Sequence, residues 1–254
     1  KLLLESALTQ LGREAAPAAL QRAVQRLGDA LQEVRRISHR LRPAELDTLG
    51  LPAALDDLAS GRAAQIPTYS FVDSKRIGSD ERIAKLASEI RQVRGLAWEV
   101  IAIHPERYNQ LYEKFGNLNR LLAWGHARVI ENLLERVPDC PRAISDQFAN
   151  PAVLQRALQE RGRGIELVQR TKAESDPAVA AASILAREAF VGWLKAHGAR
   201  YGLEFPKGVS ESVKQSARKM VDEHGTGILQ ELCKVHFRTY AEIIQVFNSD
   251  YSGK

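Results

Sequence analysis

Cysteine is scarce in this chain. The only two, Cys140 and Cys233 among 254 residues, have neither a metal-ligand spacing nor a disulfide framework, which excludes a zinc ribbon and a stapled secreted scaffold and fits a reduced, cytoplasmic setting. Both read as buried small hydrophobes. Long apolar runs are also lacking. None approaches the length of a membrane span, and Lys1-Leu2-Leu3-Leu4 is too short for a secretion signal, so no membrane partner is expected. Because the chain begins with Lys rather than Met, its first numbered residue is not expected to be a translation start. The histidines His104, His126, His197, His224 and His236 are dispersed without zinc spacing, and His126, two residues after Trp124, reads as a packed or polar core member. Trp98, Trp124 and Trp193 read as core aromatics before they read as base-stacking platforms.

What is present is enough for a core. Hydrophobic residues make up 44% of the chain, material for one or two domains. Thirty-six Lys and Arg against 31 Asp and Glu give a net charge of +5, which permits a polyanionic partner without requiring one. Leu20, Val24, Leu27, Leu31, Val34, Ile37 and Leu41 recur at three- and four-residue steps and predict a long helix over 18–42. Its aliphatic stripe calls for a partner, either a hairpin neighbour or the same helix of a second subunit in a homodimer. Composition changes over 60–70, SGRAAQIPTYS, to a Gly, Pro and Ser mixture. The predicted organisation is a helical segment, 1–60, followed by an α/β domain, 66–254.

Within that domain, Ser79 is placed to cap a helix over 80–93 with Ile83, Leu86, Ala87, Ile90 and Val93 on its apolar side. Residues 98–103 have strand character, ended by His104-Pro105. A strong amphipathic helix follows over 117–134, then strands at 143–146 and 164–168, then a helix opening at Pro177 and packed with Ala180, Ala181 and Ala182, small enough to lie against a sheet. Two further helices are predicted at 209–224 and 226–244. Helical crossovers between strands favour a parallel sheet. Asp146 ends one strand and Asp176 precedes Pro177, so both can reach one sheet edge, where carboxylates suit hard divalent cations. Asp176 also reads as an ordinary carboxylate at a helix N-terminus.

Two resemblances bear on this pattern. The stretch LQEVRRISHRLRPAELDTLGLPAALDDLA, 31–59, resembles the second dimerisation helix of bacterial sensor histidine kinases and its exit towards the ATP-binding domain. His39 is followed by Arg40 and does not match that family's phosphoacceptor, and no glycine-rich nucleotide-binding segment follows, so kinase activity is excluded. The stretches VDSKRIGSDERIAKLASEI at 72–90, ERYNQLYEKFGNLNRLLAWGHARVIENLL at 106–134, AISDQF at 143–148, KAESDPAVAAASILAREAF at 172–190 and LEFPKGVS at 203–210 resemble type 2 and, more closely, type 3 bacterial ribonucleases H. That resemblance covers about two-thirds of the chain in uninterrupted order. It implies a ribonuclease H-like fold, binding of RNA–DNA hybrids, and endonucleolytic hydrolysis of the RNA strand with Mg²⁺ or Mn²⁺ held by four acids.

Carried over residue by residue, the third acid falls on Asp146 and the fourth on Asp176. The resemblance turns Ser74 and Lys75 towards the nucleic-acid backbone; Lys172 and Arg187 are further basic candidates, and Lys207-Gly208 reads as a substrate-facing loop in which glycine lets the backbone approach and lysine can meet a phosphate. The first two acids form an adjacent Asp-Glu pair in a glycine-rich first strand of the family, and no such strand precedes Asp73-Ser74-Lys75 here. Asp80-Glu81 is a weak substitute, because it runs directly into a helical pattern and reads as helix-N-terminal charge. The absence predicts a partial ribonuclease H-like fold with an open edge at 98–103, which IPTYSFV at 66–72 has the β character to cover in part. Three readings stay open: an active hybrid nuclease, a catalytically impaired nucleic-acid-binding fragment or fusion, and a helical dimerisation module.

Overall fold

The computed structural model describes Leu55 and residues 77–251. The stripe over 18–42, the change of composition over 60–70, the IPTYSFV stretch, and Ser74 and Lys75 lie outside the described residues, and with them the homodimer expectation.

Helix α1 (Asp80–Gln92) starts as its sequence predicts: the Ser79 hydroxyl accepts from Arg82 N, and Asp80 and Glu81 place negative charge in the first turn. Its face of Ile83, Leu86, Ala87 and Ile90 is buried against Ala180, Ala181, Ile184 and Leu185, with Leu55 and Ile77 completing the cluster. Full burial of one such Leu or Ile is worth about 1.5–3 kcal/mol, so this contact anchors the described domain. The partner helix, α6 (Pro177–Tyr201), is longer than the alanine-rich stretch suggests. Its small residues Ala180 and Ala181 pack on α1 rather than on a sheet.

Contrary to the expectation that no stretch approaches a membrane span, α6 is long and apolar enough to cross one by length and composition. Core helices pass that same test. Here Ala180, Ala181, Ile184 and Leu185 are buried on α1, while Arg187 and Glu188 lie 3.9 Å from Asp80 and 2.6 Å from Arg91.

The C-terminus of α6 sets a tight limit. Gly202 takes the left-handed conformation at φ 63° and Leu203 N donates to Gly198 O at 2.9 Å, folding the chain back over Gly198. A Cβ on Gly198 would sit 2.5 Å from Leu203 O. Gly198→Ala is therefore expected to destabilise the protein by about 1–3 kcal/mol. Urea unfolding of the two proteins measures this, and an unchanged midpoint would show that the turn moves aside without cost.

Helix α2 (Pro105–Phe115) has no counterpart in the sequence reading, which took His104-Pro105 as a strand terminator. Proline in the first helical turn loses no hydrogen bond, and here it opens the helix. Gly116 ends α2 at φ 60°, and Asn117 starts α3 (Leu118–Arg136) by accepting from Asn119 N and Arg120 N. Strands β1 (Arg142–Asp146) and β2 (Glu166–Arg170) then pair in parallel, with Ile144 opposite Val168 and Asp146 opposite Arg170. The crossover contains α4 (Pro151–Ala157) and the single turn α5 (Glu160–Arg163). Strand β2 begins two residues later than predicted because Gly164 N donates to Arg161 O and closes that turn.

Residues 98–103 are not a strand. Strand propensity requires a neighbour to supply the ladder, and no strand pairs with this segment among the described residues. The predicted helix 226–244 is also divided. After α7 (Glu211–His224) come α8 (Ile228–Leu232) and α9 (Arg238–Tyr251). Asn109 of α2 fixes the break, donating to Gln230 O and Cys233 O while accepting from Val235 N. Trp98 is exposed rather than core, with the Arg91 guanidinium 5.2 Å from its ring centre. Both cysteines are free and half-buried rather than buried, and burial pushes the Cys233 thiol up to about 11. The described fold is a mostly helical, partial ribonuclease H-like α/β arrangement around a two-stranded parallel sheet.

Candidate nucleic-acid and metal site

The carboxyl end of the sheet gathers the two acids singled out by sequence. Asp146 is the last residue of β1 and is exposed; its Oδ1 accepts from Ala173 N at 3.4 Å. Asp176 is reached a few residues after β2, through a turn at Lys172 (φ 55°) and a short 3₁₀ helix, Ala173–Ser175. Lys172 is a non-glycine residue in the left-handed region, so the exposed lysine sits on a sharply turned loop beside both acids. Asp176 caps α6, with Oδ1 accepting from Ala178 N at 3.0 Å.

Arg170 connects the pair, and sequence reasoning missed it. Its backbone lies opposite Asp146 in the ladder and its carbonyl oxygen accepts from Gln147 N, while its Nη2 is 3.6 Å from Asp176 Oδ2. A basic residue closing a strand next to two acids was the available signal. Behind Asp146, Ser145 is buried and its Oγ lies 3.3 Å from His126 Nδ1. The His126 ring also packs on Phe148, centroids 4.9 Å apart. Burial holds the His126 pKa below its ordinary value, opposed by the negative charge of Asp146. His126 is nevertheless exposed, so it is not the core member expected from sequence, and it packs on Ser145 and Phe148 at the edge of the site.

Asp80 and Glu81 belong to a different constellation. Lys207 Nζ lies 2.7 and 2.9 Å from the two Asp80 oxygens, and Arg187 Nη2 lies 3.9 Å from Oδ1. The hydrogen-bonded Lys207 ammonium, helped by the charges of Lys195 and Arg187, holds the Asp80 carboxyl below its usual range against the opposing effect of burial. Glu81 accepts from Ser79 Oγ at 2.6 Å, and its carboxyl is lowered chiefly by that bond. Lys207 is thus paired with an acid of its own chain, and Gly208 beside it takes φ +92° with open space around its missing Cβ.

Among the described residues, no group of three or more His, Cys, Asp or Glu side chains is arranged to hold a metal ion. Asp146 and Asp176 have the right chemistry for a hard divalent cation, but they are a partial donor set, and Asp176 is already engaged by a helix N-terminus and Arg170. The described residues therefore do not by themselves fit a two-ion centre.

Comparison with known proteins bears on the same stretch. The family profile described as ribonuclease HII matches residues 57–240. Ribonuclease HIII of Chlamydia trachomatis serovar L2 is 46% identical over 176 residues, covering 69% of this chain and 58% of that protein. Ribonuclease HIII of Chlamydia pneumoniae is 45% identical over 172 residues, covering 67% and 57%. Among solved structures, Bst-RNase HIII in complex with Mn²⁺ superposes with a TM-score of 0.61 at 27% identity, over 68% of this chain and 57% of that one. The chain spans a little under three-fifths of the length of these curated relatives. With its matched stretch reaching from residue 57 to residue 240, the chain belongs to the ribonuclease HII family.

Proposed function

We propose that this chain is a hybrid-binding domain of the ribonuclease H type that engages RNA–DNA duplexes at the carboxyl end of its sheet, with cleavage of the RNA strand limited by an incomplete set of acids. The observation that carries the reading is the meeting of Asp146 and Asp176 at one sheet edge beside Arg170 and Lys172. Carboxylates alone would repel a phosphodiester backbone. Arg170 offsets part of their charge, and exposed Lys172 supplies a cation for a neighbouring phosphate. Ser74, Lys75 and Gly208 complete the proposed backbone contacts, while Lys207 is held by Asp80 in the free chain. Mg²⁺ or Mn²⁺ is the proposed ion at Asp146 and Asp176, and no hydrolytic step is assigned to it on two donors.

The test is binding of a labelled RNA–DNA hybrid to the full chain without divalent ions, followed by fluorescence anisotropy across a KCl series. Binding is expected to weaken steeply with salt, and Lys172→Ala is expected to reduce the slope of log K against log salt by roughly one, as for loss of a single phosphate contact. Absence of salt-sensitive binding at low ionic strength would sink the proposal.

A further inference from the structure

We infer that Asp80 is an internal anion occupying a phosphate-binding position formed by Lys207 and Arg187, so that a nucleic-acid backbone must displace it to extend along α6. This deepens the hybrid-binding reading and rests on it for the identity of the ligand. Lys207 meets both oxygens of one carboxylate, at 2.7 and 2.9 Å, in the way an ammonium meets two non-bridging oxygens of a phosphate. Arg187 approaches the same Oδ1 at 3.9 Å, and Lys195 adds positive potential. One carboxylate thus sits among three cations from α6 and the loop after it.

The contact is poised for exchange rather than locked. The Lys207 side chain is 45% exposed, so solvent and anions reach it. With Asp80 itself 21% exposed the pair is partly screened by solvent, and a phosphodiester offers the same acceptor geometry with more oxygens. Gly208, next to Lys207, has φ +92° and open space on the side where a Cβ would project, which leaves the loop room to swing.

The location fits a duplex footprint. Arg187 follows Asp176 by eleven residues on α6. At 3.6 residues per turn this is about three turns, returning to the same side of the helix about 16 Å away. A duplex advances about 3.4 Å per base pair, so the two positions are about five base pairs apart. A hybrid held at Asp146 and Asp176 and running beside α6 would bring a phosphate to Lys207.

The inference is tested with the full-length parent, Asp80→Asn, Lys207→Gln and the Asp80→Asn/Lys207→Gln double variant. Two probes are used: a labelled RNA–DNA hybrid without divalent ions across a KCl series, and inorganic pyrophosphate followed by thermal unfolding. Asp80→Asn is expected to bind hybrid about three- to tenfold more tightly at low salt, with a salt slope steeper by about one, as for one added phosphate contact. The double variant should return to the parental slope, and pyrophosphate should raise the Tm of Asp80→Asn more than that of the parent. Lys207→Gln alone should change hybrid affinity less than twofold. If Asp80→Asn binds no more tightly and pyrophosphate shifts both proteins alike, Asp80 only pins the loop and the inference is wrong. A loss on Lys207→Gln as large in the parent as in the Asp80→Asn background also overturns it. If no protein binds hybrid while pyrophosphate still favours Asp80→Asn, the internal anion stands and the hybrid-binding reading fails.

Discussion

Glu131→Ala is expected to cost about 3 kcal/mol of stability, the largest loss from any single side chain considered. Glu131 projects from α3 and is only 5% exposed. Its Oε1 accepts from Gln159 N at 2.8 Å and Gly162 N at 2.9 Å, and its Oε2 accepts from Arg161 N at 3.2 Å. Those three backbone groups open the turn that leads into β2. Hydrogen bonds to an ionised acceptor are worth about 1.5–3 kcal/mol each, and truncation leaves the Gly162 N–H buried without a partner. Desolvation of the carboxylate offsets part of the sum, which is why the net expectation is well below three full bonds. For a domain of this size the Tm should fall by about 6–12 °C. Glu131→Gln keeps one acceptor oxygen and should recover more than half of the loss. The fit is close from the other side too, since a Cβ on Gly162 would lie 2.7 Å from Glu131 Oε1. Thermal and urea unfolding of the two Glu131 variants measure the effect. An alanine variant within about 0.5 kcal/mol of the parent, the range of ordinary surface substitutions, would show that the turn is held by other contacts.

The features legible in sequence are those whose cause lies within a few residues. Ser79 and Asp176 each stand at the start of the helix that follows, and the donor each caps is two or three residues away. The apolar face of α1 was readable because helical periodicity places Ile83, Leu86, Ala87 and Ile90 together before any partner is known. The pairing of strands by parallel crossover followed from their order, and with it the placement of Asp146 and Asp176 at one edge.

Features set by distant partners were not legible. Glu131 sits on a helix face as one more charged residue, and its acceptor role depends on backbone 28–31 residues further on. The Asp80–Lys207 contact joins residues 127 apart and turns a weak metal candidate and a nucleic-acid candidate into each other's counter-ions. Residues 98–103 show the reverse case: their composition suits a strand, yet a ladder needs a second strand, and none pairs with them among the described residues. The division between α8 and α9 likewise depends on Asn109, more than 120 residues earlier in sequence.

Cleavage of a labelled RNA–DNA hybrid by this chain, with Mg²⁺ or Mn²⁺, is expected to fall at least 10²–10³-fold below that of a ribonuclease HIII carrying all four acids. The estimate follows from magnitude: an interaction worth about 3–4 kcal/mol at a transition state accounts for a rate factor of about that size. A missing carboxylate removes both an oxygen donor and a negative charge, and the described residues bring only Asp146 and Asp176 to the sheet edge. Asn substitutions make clean probes of what activity remains. Asp176→Asn keeps a good helix cap through its amide oxygen, and Asp146→Asn keeps an acceptor for Ala173 N, so each chiefly removes charge. Loss of the partly exposed Arg170–Asp176 pair should alter stability by no more than about 1 kcal/mol. Residual turnover is therefore expected to vanish in both variants while their unfolding midpoints stay near the parent's and their hybrid affinity does not fall. The Asp80→Asn/Glu81→Gln double variant separates the remaining alternatives. If robust parental turnover disappears in all three proteins, Asp80 and Glu81 take part in the site. If it disappears only with Asp146 or Asp176, the first pair of acids contributes less than the rate factor above assumes. Robust turnover that survives both single Asn changes would remove Asp146 and Asp176 from the chemistry altogether.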